Sequence, residues 1–121
     1  MIFKIYEYNV TPNVNQKDVV SIYLENDKMN MNGQNIEDVN KINSIKKILE
    51  DNKERIIAAA SQRQYNSKGG RQKMITVKFD ENGESYVIIG NGSSQENNDF
   101  YTKIVNDVIK IIKEHLVKVN R

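Results

Sequence analysis

The chain has 121 residues, a net charge of +2 and a hydrophobic content of 38%. This length fits one domain over residues 1–121, since single domains most often run to roughly 100–150 residues. Cysteine is absent, which excludes disulfides, thiolate catalysis and sulfur-ligated metals. No apolar run approaches the roughly 18 residues that a membrane-spanning helix needs. We therefore expect a small soluble domain that makes no contact with membranes.

The first part of the chain predicts a strand followed by a hairpin. Ile2 to Tyr8 mixes β-branched and aromatic residues, as strands do. Pro12 then breaks the strand, because proline has no amide hydrogen to give to a ladder. Residues 20–25 alternate apolar and polar side chains with the period of two of a half-buried strand. Asn26-Asp27 can close a hairpin onto a short strand over residues 28–32.

A long helix is predicted next. Asn35 is the candidate N-cap, and Glu37 and Asp38 in the first turn favour the positive end of the helix dipole. A run of three alanines has strong helix propensity, so we expect the helix to continue through Gln64, although Asn52 interrupts its apolar stripe. That stripe consists of Val39, Ile42, Ile45, Leu49 and Ile56.

A second hairpin and a second helix complete the chain. Ile75, Val77 and Phe79 alternate with polar residues, and the turn "ENGE" leads into the strand "SYVIIG". This return strand is apolar on both faces, which favours a central or covered position. The connector "GNGSSQENND" then leads to a helix with Asn98 or Asp99 as its cap and a broad apolar face, and we expect the "GNGSS" part of the connector to be flexible.

The order hairpin, Asn-Gly, helix thus occurs twice, at about residues 19–60 and 74–119, which indicates a possible internal repeat. We predict an α+β fold with two layers, in which two long helices pack on one face of an antiparallel sheet of about five strands.

No pattern of residues is typical of a catalytic or metal site. His115 is the only histidine, and no H-E-x-x-H motif or Ser-His-acid arrangement is present. The glycine-rich "GNGSS" lacks the lysine of a phosphate-binding P-loop. We therefore expect no enzymatic activity, no metal and no cofactor.

Charge is unevenly distributed along the chain. Residues 1–54 and residues 80–121 each carry a net charge of −2, whereas residues 55–79 carry six bases and no acid. Much of this basic character lies in "SQRQYNSKGGRQK", residues 61–73, which we call the basic tract. Such asymmetry affects partners and association rates rather than the fold.

The basic tract is the main candidate for a binding site. Its cations suit phosphate or carboxylate oxygens, its glycines allow close approach of the backbone, and its tyrosine can stack on a base. The alternative is a solvated helix end followed by a mobile basic loop, because cations also cap the last carbonyls of a helix. The candidate residues are Arg63, Tyr65, Lys68, Arg71 and Lys73.

Three tyrosines form a second candidate surface. Tyr6, Tyr8 and Tyr23 lie on strand faces opposite or beside the apolar positions. If the helices cover one face of the sheet, these side chains lie on the other, where tyrosine suits a protein interface or self-association. The alternative is ordinary cross-strand pairing on an open sheet.

These features favour a small non-enzymatic interaction protein that binds and blocks or shields another macromolecule, as immunity proteins and phage or mobile-element inhibitors do. A protein partner is the main prediction. The alternative function is a phosphate-binding or nucleotide-sequestering protein that uses the basic tract. The N-terminus shows no secretory leader, so we expect a bacterial cytoplasmic protein, with a leader removed earlier as the alternative.

Overall fold

A computed structural model describes residues 1–9, 20–62, 64 and 71–119, and it describes residues 7–9, 20, 71–72 and 114–119 by their backbone alone. These ranges contain six strands and three helices. In chain order they are β1 (Ile2–Asn9), β2 (Val20–Glu25), β3 (Lys28–Met31), β4 (Gln34–Ile36), α1 (Val39–Asp51), α2 (Lys53–Ser61), β5 (Arg71–Lys78), β6 (Ser85–Ile89) and α3 (Gln95–Val119).

The six strands form one antiparallel sheet in the order β4, β3, β2, β1, β5, β6. The first strand is central, and Ile5 pairs with Ile22 on one side and with Ile75 on the other. The predicted α+β class and antiparallel sheet are therefore confirmed.

The strand beyond the predicted five is β4. Asn32 and Gly33 have φ angles of 51° and 88°, the positive values of a tight hairpin turn. They fold the chain back onto β3 instead of into a helix, so that Met29 pairs with Ile36. Asn35 consequently lies in a strand and is not the cap of α1.

Asp38 caps α1 instead. Its Oδ1 accepts hydrogen bonds from the backbone N–H groups of Asn40 (2.9 Å) and Lys41 (3.3 Å). Val39 is 65% exposed at the first turn, although the sequence assigned it to the apolar stripe.

Asn52 divides the predicted first helix into α1 and α2. Its backbone N–H reaches the carbonyls of Ile48 and Leu49 at 3.2 and 3.3 Å, and its Nδ2 donates to the Ile48 carbonyl at 2.7 Å. The side chain thus competes for a helix carbonyl, as asparagine often does, and two helices replace one. The second of them ends at Ser61, short of Gln64.

The core lies between one face of the sheet and the helices, in agreement with the predicted two layers. Buried apolar side chains from five strands and all three helices form a single cluster. Its most deeply buried members are Phe3, Ile5, Ile22, Leu24, Ile45, Leu49, Ile56, Ile75, Val77, Ile88, Tyr101, Ile104 and Val108. In the described part of the chain no helix is long and apolar enough to span a bilayer.

Several hydrogen bonds lie in the connector before α3 and at the start of this helix. The Asn97 N–H donates to Ser94 Oγ at 3.2 Å, so Ser94 and not Asn98 or Asp99 caps the helix. The Asn98 side chain accepts from the N–H of Gly92 and donates to its carbonyl, both at 3.0 Å. The buried Asn97 amide also donates to the carbonyl of Ala59 at 2.9 Å.

Strands followed by helices occur twice in chain order, although the first unit has the additional strand β4 and two helices, and the layouts of the two hairpins are mirror images. Both β2 and β5 run antiparallel to β1, and β3 and β6 lie on opposite outer sides of them. Because the helices cover the same face, no rotation superimposes the two units. The repeat is therefore one of chain order and not of internal two-fold symmetry.

Candidate functional site: the open face of the sheet

The helices leave one face of the sheet uncovered, and we call it the open face. Strand alternation places there every side chain that points away from the core. Tyr6 and Met74 are its most exposed large apolar residues, at 46% and 37%. The described side chains of this face are Ile2, Lys4, Tyr6, Ser21, Tyr23, Glu25, Lys28, Asn30, Asn35, Met74, Thr76, Lys78, Ser85, Val87 and Ile89.

Strand order brings the aromatic residues to the middle of this face. One cross-strand row runs through Ser21, Tyr6, Met74 and Ile89, and the next runs through Tyr23, Lys4, Thr76 and Val87. Side chains directly opposite each other on neighbouring strands lie close enough to interact. The residues of these rows on strands β2, β1 and β5 surround a shallow cleft of about 200 Å³.

Tyr23 is held in place on both sides. Its hydroxyl donates to Glu25 Oε2 at 2.6 Å, and the Lys4 ammonium lies 5.2 Å from the centre of its ring. The hydrogen bond to the Glu25 carboxylate raises the pKa of the Tyr23 hydroxyl above its ordinary value, with smaller contributions from burial and from the charge of Glu25. Tyr23 is therefore a neutral ring in a fixed orientation.

The charged groups around the cleft are mainly basic. Among the described residues, the open face carries Lys4, Lys28 and Lys78 but only one acid, Glu25. Glu25 lies beside Lys28 across the β2–β3 pair and is already bonded to Tyr23. An acidic surface would therefore meet net positive charge on this face.

The three predicted tyrosines have the following positions. Tyr6 and Tyr23 lie on the open face, two residues apart in register, because Tyr6 pairs with Ser21 and Lys4 pairs with Tyr23. Tyr8 lies in β1 opposite Gln72, and its side chain is outside the described set.

Most of the basic tract lies outside the described residues. Arg63, Tyr65 and Lys68 lie outside them, and Arg71 is described by its backbone alone, at the start of β5. Lys73 is half-buried and has the parity of Ile75, so it points to the helix side of the sheet and away from the tyrosines. The two predicted surfaces are therefore on opposite faces of the sheet where both are described.

No metal-binding group of three or more acidic or histidine side chains occurs in the described part of the chain. Asp38 is bonded to the N-terminus of α1, which is a structural role. His115 lies in α3, where the structure describes its backbone but not its side chain.

Three side chains that were not predicted as candidates lie on the open face or at the edge of the sheet. Lys4 and Met74 join the tyrosines on the open face, and the alternation of β1 and β5 could have indicated both. Gln64 hydrogen-bonds to the edge strand β6, and no local pattern signals this contact.

In comparisons with known proteins, no family model matches the chain, and neither the curated proteins nor the solved structures contain a significant match to it.

Proposed function

We propose that this protein is a small non-enzymatic interaction protein that binds and blocks or shields an acidic protein partner through the open face of its sheet. The observation that carries the proposal is the cleft of about 200 Å³ between Tyr6, Tyr23 and Met74 on an otherwise plain scaffold. Tyrosine and methionine are enriched in protein interfaces, and buried tyrosines are frequent hot spots.

The fixed orientation of Tyr23 supports this function. Binding usually costs side-chain entropy when a mobile group becomes ordered. Glu25 and Lys4 already hold the Tyr23 ring, so that less of this cost remains to be met on binding. A neighbouring strand presents Tyr6 beside it in the same rigid sheet.

The charge of the open face supports an acidic partner. Lys4 and Lys78 lie on the central strands β1 and β5, and Lys28 lies at the hairpin beyond β2. Exposed charges of this kind raise the association rate with an oppositely charged surface more than they change the dissociation rate. A partner that carries Asp and Glu around an apolar centre fits this arrangement.

The test begins with a photo-reactive benzoyl-phenylalanine in place of Tyr6 and, as a control, in place of Thr102, which is exposed on α3. Both proteins are irradiated in extracts of the source cells, and captured partners are identified and purified. We expect capture from position 6 and none from position 102.

The captured partner then allows quantitative binding measurements by surface plasmon resonance. We expect Tyr23→Ala to weaken binding by about 30-fold, the equivalent of roughly 2 kcal/mol for a hot spot. Lys4→Ala should slow association and leave dissociation nearly unchanged. Lys110→Ala, an exposed lysine of α3, is the matched control and should behave as wild type.

Capture only from position 102, or full affinity in the Tyr23→Ala variant, would overturn the proposal. The alternative function, a phosphate or nucleotide binder, is supported by the run of six bases without an acid over residues 55–79. Thermal unfolding in the presence of nucleotides, at low and at high salt, tests this alternative.

A further inference from the structure

The outer strand β6 has one edge that no described strand pairs with. It is the last strand of the sheet and pairs with β5 alone. The sequence predicted a central or covered strand here, because Val87, Ile88 and Ile89 are apolar on both faces. An unpaired edge of this kind presents a row of backbone donors and acceptors that can template pairing with another chain.

Gln64 occupies this edge. Its Nε2 donates to the Val87 carbonyl at 3.1 Å, and its Oε1 accepts from the Ile89 N–H at 2.8 Å. One residue of a parallel neighbouring strand would make the same pair of bonds, with its own N–H and C=O, to the residues on either side of Ile88. A side-chain amide thus imitates a peptide backbone at this position.

A groove of about 410 Å³ runs beside the same edge. One wall is the end of α2, with Ala60 and Ser61, and the other is β6 from Ser85 to Ile89. Glu84 lies just before β6 and is the only charged residue among the described residues that line the groove. The chemistry of the groove is therefore that of backbone amides, small and apolar side chains, and one carboxylate.

The opposite edge of the sheet also borders a pocket, of about 450 Å³, but its strand is less suited to pairing. The strand there, β4, has three residues, and two of them are Gln34 and Asn35. Short polar edge strands offer little to an added strand.

We propose that the β6 edge binds an extended peptide segment of a partner protein, which displaces the Gln64 amide and adds a strand to the sheet. Strand addition of this kind draws affinity from main-chain hydrogen bonds and specificity from pockets for alternate side chains. The segment that fits has apolar residues at alternate positions, to lie beside Val87 and Ile89, and a basic residue next to Glu84. This site shares Val87 and Ile89 with the outer part of the open face, but it does not depend on the cleft between Tyr6, Tyr23 and Met74.

The experiment selects displayed random short peptides on the immobilised full-length protein and measures the enriched sequences, as synthetic fluorescent peptides, by anisotropy. We expect Gln64→Ala to bind them about tenfold more tightly, because an internal competitor worth about one hydrogen bond has been removed. Gln34→Ala, a change of the same chemistry at an exposed position of the opposite edge strand, should leave the affinity unchanged.

Two further comparisons identify the binding mode. Methylation of alternate backbone nitrogens in the peptide should abolish binding, because it removes the donors of one edge while the protein stays unaltered. Tyr6→Ala on the open face should have no effect, so that this site and the open face are tested independently.

Failure to enrich any peptide that binds saturably would overturn the proposal. Peptides whose affinity is insensitive to both Gln64→Ala and backbone methylation would also overturn it, since they would bind elsewhere. A second copy of this chain could occupy the edge instead of a peptide, and analytical ultracentrifugation of the Gln64→Ala variant tests this by measuring its oligomeric state. Dimerisation without peptide binding would assign the edge to a second copy and reject a separate peptide partner.

Discussion

Gly90 lies so close to the ring of Tyr101 that a Cβ atom at position 90 would overlap Cγ, Cδ1 and Cε1 of that ring. Tyr101 is 1% exposed and belongs to the core cluster, so the ring has little room to move. The Gly90 N–H continues the β5–β6 ladder by donating to the Lys73 carbonyl at 2.9 Å. A residue without a side chain therefore allows α3 to pack directly against the end of β6.

We predict that Gly90→Ala lowers the free energy of unfolding by about 1–3 kcal/mol, the usual cost of overpacking a core. Urea denaturation followed by circular dichroism measures this change. Gly83→Ala is the matched control, since a Cβ there meets the Asp80 carbonyl oxygen at 3.3 Å in an exposed turn. Equal stability of the two variants would mean that Tyr101 relaxes without cost.

The burial of Lys41 could not be predicted from the residues around it. It is only 8% exposed, and its Nζ donates to the Ile112 carbonyl of α3 at 2.7 Å. A lysine next to Ile42 in a helix is ordinarily assigned to the surface. Its burial depends on the position of α3, which no local pattern around residue 41 contains.

At the scale of elements, the start of α1 is decided by one side chain. Asp38 accepts from two backbone N–H groups that would otherwise lack helical partners. We predict that Asp38→Ala lowers the free energy of unfolding by about 1 kcal/mol, as loss of a helix cap usually does. Chemical denaturation of the purified variants measures the effect.

Glu37→Ala removes the same charge one residue earlier and serves as the control for this change. It should leave the free energy of unfolding nearly unchanged. If Glu37→Ala were as destabilising as Asp38→Ala, the effect would come from the helix dipole and not from the cap.

The sequence predicted most elements because their periods are long enough to recognise. Most of the described residues on the apolar faces of β1, β2, β5, α1 and α3 are buried, and the exposed Val39 at the start of α1 is an exception. The short strand β4 has three residues, too few for a period to be read, and the alanines at positions 58–60 favoured one continuous helix across Asn52. Both errors arose where one turn or one hydrogen bond decides between two local structures.

The candidate site could be predicted only in part for a related reason. A period of two placed Tyr6 and Tyr23 opposite the core positions. Their proximity to Met74 depends on β1 lying between β2 and β5, which is a property of strand order. The contact of Gln64 with β6 joins distant parts of the chain.

At the scale of the whole molecule, the charge pattern separates the two functions. If the partner is a protein, we expect nucleotides and cyclic nucleotides to leave the melting temperature unchanged at low and at high salt, because a ligand that does not bind the native state cannot stabilise it. Thermal unfolding monitored by fluorescence tests this, and native mass spectrometry of the freshly purified protein checks for a phosphate ligand already bound.

A nucleotide-induced rise in melting temperature that disappears in the Arg71→Ala/Lys73→Ala variant and falls steeply with salt would favour the phosphate-binding alternative. Lys103→Ala/Lys110→Ala, two exposed lysines of α3, removes the same charge elsewhere and is the matched control.

The central position of β1 also determines the order in which its two edges can be paired during synthesis. A growing chain can pair β1 with β2 as soon as residue 25 has emerged, but the other edge of β1 receives its partner only when β5 has followed. At about 5–20 residues per second, roughly 3–10 s of synthesis separate the two events. During that time Phe3 and Ile5, which lie at the centre of the finished core, belong to an incomplete sheet. A nascent chain that stalls between β2 and β5 therefore exposes an apolar strand edge to its neighbours on the same messenger RNA.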